Sequence, residues 1–491
     1  VISAVRKRPI HIAGISRLGV GWLIAAGLLA AVIGCRAPRT IRDPEFTAIA
    51  VTPLVASPSL EAVSSAMMPV EPTFAGPRPV DEYIAFALCQ NPEIQVKRKQ
   101  VEAAAMRVPQ AASLEDPMLD VTGYPFYPYV PQQVGGRVTY EIMASQQVPW
   151  FGKLRTKACA AEAEVDAARA ELVVAELEVL EQVKRAYYEL YLVQTSIEIT
   201  EQSRKLAVDF SQIAEIKYRT GTVDQQDVLR AQLEVSNIDI DLVRMRQELQ
   251  SAQARLARLL HLSPETPVQA LPELPAEQIP NDLERLYALA IEARPDLHAQ
   301  LAAIRRDRLN VDLARLQYYP DVRLKANWGD MSTYQAMSPE ADGIGMLGVG
   351  LGANIPIYRK RLEAGVREAE AKTVASAREY DALRDKAQEE VKDLFAQLTS
   401  QEQLLTLFRT DIIPKAELTL NASTSAYQTG KIDILMLIDN WKQLLQYRIG
   451  QQRLEAQVRQ TLASLERAVG GVSLTAAANV PTELPTPLPS N

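Results

Sequence analysis

The sequence predicts a mainly α fold with a small β part, built from one unit that occurs twice, and three observations carry that reading. From Phe151 to Ser263 there is no proline, and the only glycines are Gly152 and Gly221. Apolar residues recur through that stretch at three- and four-residue steps, the spacing of a coiled-coil seam. Four other segments alternate apolar and polar residues with period two, as a strand with one apolar face does.

At the N-terminus, Arg6, Lys7, Arg8 and Arg17 precede an apolar run from Leu18 that ends in Val32-Ile33-Gly34-Cys35. A basic region followed by an apolar stretch reads as a secretory signal, and the ending resembles a bacterial lipobox. Cleavage before Cys35 would leave its thiol to carry a diacylglyceryl group. The alternative is a transmembrane anchor, since about 17 apolar residues just reach across a bilayer. Residues 1–34 hold four basic side chains and no acidic one, so their removal takes the net charge from −7 to −11. Residues 35–80, rich in proline from Pro38 to Pro79, read as a lipid-anchored tether. Residues 471–491, with Pro481, Pro485, Pro487 and Pro489, read as a disordered tail.

The body between them repeats itself. "ALCQNPEIQVKRKQVEAA" at 87–104 matches "AIEARPDLHAQLAAIRRD" at 290–307, and "QQVPWFGK" at 146–153 matches "ANIPIYRK" at 353–360. "IKYRTGTVD" at 216–224 matches "SAYQTGKID" at 425–433. Three correspondences in one order define two units, 81–270 and 271–470, too long for a solenoid repeat.

Each unit reads as a helix, two strands and two long helices. The first long helix is expected from Lys153 to Tyr218, with Val165, Leu172, Val179, Val183, Ala186 and Leu190 along its seam. Its partner is expected from Val223 to Leu260, with Val228, Val235, Ile238, Leu242, Leu249 and Leu256. One 4-4 step in the first series relaxes the supercoil. In the second unit Pro414 should kink the helix.

The strands are read at 119–124, 137–148, 322–328 and 347–355, with hairpin loops at 125–136 and 329–342. Period two with one apolar face fits a half-buried soluble sheet or a membrane barrel. Four strands close no barrel, and an open edge in lipid leaves backbone groups unpaired. A membrane location therefore requires an oligomer whose chains each donate four strands; three chains would give about twelve.

The balance of charge excludes some classes. A mildly acidic chain without a basic block beyond its N-terminus does not suit nucleic acid. Beyond Cys35 only Cys89 and Cys159 remain, in no zinc or disulfide spacing, and His261 and His298 form no ligand cluster. No nucleophile elbow, phosphate loop or dinucleotide-binding glycines are present, so neither an enzyme nor a resident cofactor or metal is expected.

Over residues 80–470 the chain resembles the TolC family of outer-membrane efflux proteins. The motifs "YRTGTVDQQDVLRAQLEV" and "YQTGKIDILMLIDNWKQLL", the duplication and the proline-led exits from strand to helix carry that likeness. It implies a homotrimer with a 12-stranded outer-membrane barrel continued by an α-helical tunnel through the periplasm. It also implies a periplasmic adaptor and an inner-membrane transporter as partners, and an exit duct rather than an enzyme. Each glycine interrupts a long helical pattern where the chain must reverse. By resemblance, Tyr218, Gly221, Tyr427 and Gly430 lie where the adaptor docks.

In the family, acidic residues shortly after the second glycine constrict the tunnel. Here the positions six and nine after Gly430 are Met436 and Asp439, and after Gly221 they are Asp227 and Arg230. Asp439, with Asp433 and Asp227, is the candidate constriction; solvated helix-tip charge is the alternative. "QQVPWFGK" resembles the Cus/Czc-type heavy-metal branch, and Met118, Met143, Met331, Met337 and Met346 near the strands offer soft sulfur. Scattered methionine also serves packing, and small organic substrates stay open. The rival class is a periplasmic coiled-coil lipoprotein scaffold or adaptor without a channel, but adaptors carry one helical hairpin and this chain reads as two.

Overall fold

The computed structural model describes residues 76–124, 131–275, 279–334 and 336–471, all within the unit Glu71–Asn491. The signal segment, Cys35, the tether up to residue 75, residues 125–130 of the first hairpin loop and the tail from residue 472 lie outside the described residues.

Helix α1 (Val80–Gln90) and helix α2 (Pro92–Ala112) open the first unit. They are two helices where the sequence suggested one. Pro92 has no N–H to continue α1, and Asn91 caps α2 by accepting from Glu93 N at 2.8 Å. Strands β1 (Met118–Gly123), β2 (Gln132–Gln133) and β3 (Gly136–Val148) follow. Helix α3 then runs from Lys153 to Arg219, 67 residues or about 100 Å, and returns as α4 (Gln225–Leu259). The second unit repeats the order with α5 (Leu283–Ala293), α6 (Pro295–Leu316), β4 (Val322–Ser332), β5 (Met346–Ala353) and α7 (Arg359–Leu407). A π turn (Phe408–Ile412), α8 (Ile413–Gln428) and α9 (Ile434–Ala468) complete it.

The kink expected at Pro414 takes the form of that π turn. Proline at 414 offers no N–H to the carbonyl four residues before it, and its ring crowds that group. The preceding turn widens, with Ile413 N bonding Phe408 O.

Every residue named above from the two coiled-coil series is buried or half-buried. Helix α3 packs against α2, α4, α6 and α9. Tyr83, Tyr187, Leu190 and Leu256 centre one core; Phe210, Leu242, Ile434 and Trp441 centre a second near the helical turns. A third, around Leu286, Val391, Leu398 and Leu465, joins α5 and α7 to α9. The Tyr187 hydroxyl donates to Arg78 O and accepts from Leu271 N, each at 2.9 Å. It thereby pins the start of the body to the segment after α4.

All strand pairings are antiparallel, in the order β1-β3-β4-β5 with β2 pairing β3. Strand β4 extends four residues past the expected end at 328, because Asp330, Met331 and Ser332 pair with Tyr140, Val138 and Arg137 across an irregularity in β3. The second hairpin loop therefore begins at 333 rather than 329.

Helices α3 and α8 end alike. Gly221 has φ 70° and Gly430 φ 74°. Thr222 N reaches Lys217 O at 2.9 Å, and Lys431 N reaches Ala426 O at 2.8 Å. These bonds satisfy the last carbonyls of each helix through a left-handed residue. A side chain at Gly430 would meet nothing within 4 Å, as would one at Gly365 inside α7. Gly430→Ala should therefore destabilise the fold by about 1–2 kcal/mol through backbone strain alone. Gly365→Ala, at a helical position, should stabilise it by up to about 1 kcal/mol. Denaturant unfolding followed by circular dichroism measures both.

Candidate functional site

The two helical turns converge on one cluster. Tyr427, on the last turn of α8, is only 1% exposed, while its repeat counterpart Tyr218 is 45% exposed. The Lys217 ammonium, from α3, donates to the Tyr427 carbonyl and sits 4.4 Å from the centre of its ring. A cation over an aromatic face holds the two hairpins together at their tips.

Carboxylates complete the cluster. Asp224 and Asp433 occupy the cap positions of α4 and α9, yet neither side chain bonds a backbone N–H of its helix. Burial raises the pKa of Asp227 above the usual carboxylate range; the charge of Asp433 on the other hairpin adds to this, as does Asp224, while Arg230 opposes. Burial, followed by the charges of Asp227 and Asp433, pushes the Tyr427 phenol up to about 12. The phenol is buried without a hydrogen-bond partner among the described residues. A neutral hydroxyl held among carboxylates can donate to one of them when the tip rearranges.

The structure thus brings together Asp227, Asp433 and Tyr427 from the sequence-derived set and leaves Asp439 exposed and apart on α9. Gly221, Gly430 and Tyr218 are exposed at the turns. Tyr427 differs from the expectation for a docking residue, because its ring lies inside the seam between hairpins. Sequence reasoning missed Lys217. A lysine on a coiled-coil surface carries no signal of its own, and only the packing of α8 beside α3 reveals its partner.

The sheet presents two faces. Leu119, Val121, Leu324, Leu347, Val349 and Leu351 all expose their side chains, Val349 to 84%. The ladder places Leu119 with Ala144 and Ala326, and Val121 with Ile142 and Trp328, on this face. The opposite face carries Asp120, Glu141, Arg323, Lys325 and Asn327 with the glycines of β5. Phe151 and Tyr358, at the corners where β3 and β5 run into α3 and α7, are 87% and 70% exposed. Among the described residues, strands β1 and β5 are edges with no partner on their outer side. Among the described residues no helix is long and apolar enough to cross a membrane. Nor does any group of three His, Cys, Asp or Glu side chains there suit a metal ion.

The sequence profile of the outer membrane efflux protein family matches residues 84–261 and 286–471. The cobalt-zinc-cadmium resistance protein CzcC of Cupriavidus metallidurans is 23% identical over 418 residues, covering 83% of this chain and 93% of that protein. The outer membrane efflux protein BepC of Brucella suis is 24% identical over 319 residues, 64% of this chain and 68% of its own. Among solved structures, the transmembrane channel protein CusC superposes with a TM-score of 0.68 at 20% identity, over 81% of this chain and 94% of that one. The outer membrane protein VceC of Vibrio cholerae gives 0.67 at 20% identity, over 80% and 96%.

The raised Asp227 pKa sets a direction for pH dependence. A carboxyl whose folded pKa lies above its unfolded value favours the folded seam when protonated, and that advantage is lost as pH rises through the folded pKa. Amide hydrogen exchange around Gly221 and Gly430, corrected for intrinsic rates, should slow on acidification. Asp227→Asn should hold the slow exchange at neutral pH. An unchanged pH response in that variant would rule out Asp227 as its source.

Proposed function

The chain belongs to the outer membrane efflux protein family, and from that premise we propose that three copies together form the exit duct of a tripartite efflux system. It is an efflux channel of the outer membrane. On the proposed reading, each copy contributes β1, β3, β4 and β5 to a twelve-stranded barrel, and the long helices continue it as a periplasmic tunnel. The duct conducts passively what an inner-membrane transporter and a periplasmic adaptor deliver, and Cys35 carries the lipid that anchors each copy.

The observation that carries this reading is the sheet: four paired strands with an exposed apolar face and two open edges. An apolar face of this size suits lipid, and a barrel alone removes the edges. The exposed aromatics at the strand-to-helix corners suit the girdle where a barrel meets the aqueous boundary. At the other end, Tyr218, Gly221 and Gly430 form the exposed tip surface that receives the adaptor's hairpin, while Tyr427 belongs to the seam behind it. Asp227 and Asp433 narrow the duct at the tips, with Asp439 further along α9.

Heavy-metal cations are the favoured cargo. The near full-length match to a cobalt-zinc-cadmium resistance protein supports this, and carboxylates at a constriction favour cations.

The mature protein purified in detergent should run as a trimer on unheated denaturing gels and conduct ions in planar bilayers. A soluble monomer without conductance after Cys35→Ala would instead favour a periplasmic scaffold. In the same bilayers Asp439→Ala should raise conductance or weaken block by divalent cations. An unchanged current would remove Asp439 from the constriction.

A further inference from the structure

Each copy contains a template for the seam between copies. Inside one chain, β3 of the first unit pairs with β4 of the second. At the base of that seam Lys153 Nζ lies 2.7 Å from Asp321 Oδ1, with the side chains only 4% and 13% exposed. The same carboxylate oxygen accepts from Trp150 N at 2.8 Å, and the Trp150 ring stacks on Tyr319 at 5.4 Å. The corner between the units is thus locked by one ion pair and one apolar stack.

The repeat carries these positions to the two open edges. Pro149 and Pro356 are 207 residues apart and align β3 with β5, so Trp150 and Lys153 correspond to Ile357 and Lys360. Within each unit's ladder, Ser145 faces Met118 and its counterpart Gly352 faces Arg323. That aligns β1 with β4 at a separation of 205, so Tyr319 and Asp321 correspond to Leu114 and Asp116. Leu114, Asp116, Ile357 and Lys360 are all exposed. Among the described residues, neither Asp116 nor Lys360 makes an ion pair.

We infer that Lys360 pairs with Asp116 of the partner subunit, repeating between copies the Lys153–Asp321 bond made within each copy. The inference rests on the trimeric reading above and names the contact that sets its register.

A second pair agrees with the same register. Transferring the Ser145–Lys325 pairing from the inner seam sets Gly352 opposite Asp120 of the partner subunit. Arg323 lies beside Gly352 on that face, its Cβ 3.8 Å from where a Gly352 Cβ would stand. Gly352 is outside the left-handed region, so the glycine is there for room. With no side chain between them, Arg323 can reach across one strand to Asp120 of the partner subunit. Among the described residues of its own copy, the Arg323 guanidinium reaches only an amide, Gln147 Oε1 at 3.2 Å. Each edge thus supplies charges that the other lacks.

The two corners differ at one point. Gly152, with φ 90°, precedes α3, whereas its counterpart Arg359 is already the first residue of α7. Lys360 therefore starts one residue further into its helix than Lys153, an offset that the flexible lysine stem absorbs.

Charge reversal tests the pairing in the full-length protein. Lys360→Glu and Asp116→Lys should each lower the temperature at which the detergent-solubilised trimer gives way to monomer on denaturing gels. The double variant should recover more than roughly half of that loss. A wild type without any trimer would sink the trimeric reading itself. A trimer indifferent to the single changes, or not rescued by the double, would overturn the pairing alone. Cross-linking checks the register without altering charge: with Cys89 and Cys159 replaced by serine, A353C combined with L119C should oxidise to covalent dimers and trimers. A353C with V121C, two residues out of step, should not, and the opposite result would overturn the register.

Discussion

A sheet edge is a row of unpaired backbone donors and acceptors, and hydrocarbon offers them nothing. This chain has two such edges, β1 and β5, beside a face from which leucine and valine project freely. In water that face would aggregate, and in lipid the edges would be untenable. On the trimeric reading proposed above, closure of the sheet on further copies satisfies both demands. The long helices inherit the arrangement, because α3 and α7 leave the sheet within a few residues of β3 and β5.

The far end obeys a different rule. Two helical hairpins reverse through glycines in the left-handed region, and the packing of Trp441, Phe210 and Ile434 behind them brings their turns together. That packing sets Asp227 against Asp433 and buries the Tyr427 ring under Lys217. Like charges at a partly buried seam store repulsion, and the lysine bond opposes it. The tip is therefore held by a balance of small terms, whereas the sheet is held by many backbone bonds. In the duct proposed above, that contrast would let the tips move while the sheet stays closed.

Much of this was legible in the residues. The ends of α3 and α4 lie within two residues of where glycine spacing and apolar period put them, because nothing else in that stretch interrupts a helix. The four long strands followed from alternation, since a one-residue slip would turn every side chain to the wrong face, but the short β2 lies inside the loop expected at 125–136. The break before Pro92 and the π turn before Pro414 were not resolved, because proline states that a helix must change without stating how. The extra length of β4 was hidden because Gly329 and Asp330 read as loop, and only their pairing partners in β3 make them strand. At the tip the glycines and acids could be found, but the burial of Tyr427 and the role of Lys217 depend on which hairpin lies beside which. A single sequence does not carry that information.

Duplication followed by divergence leaves the two kinds of seam unequal at the tips. The turns align at a separation of 209 residues, so Lys217 and Asp227 correspond to Ala426 and Met436. The seam inside one copy thus holds a cation and a half-buried carboxyl around Tyr427, while the seam that would cover Tyr218 has an alanine and a methionine at those places. The first also has Asp433 beside it, whereas the second keeps only the counterpart of that residue, Asp224. A change of pH or the approach of a cation therefore acts more on the first than on the second.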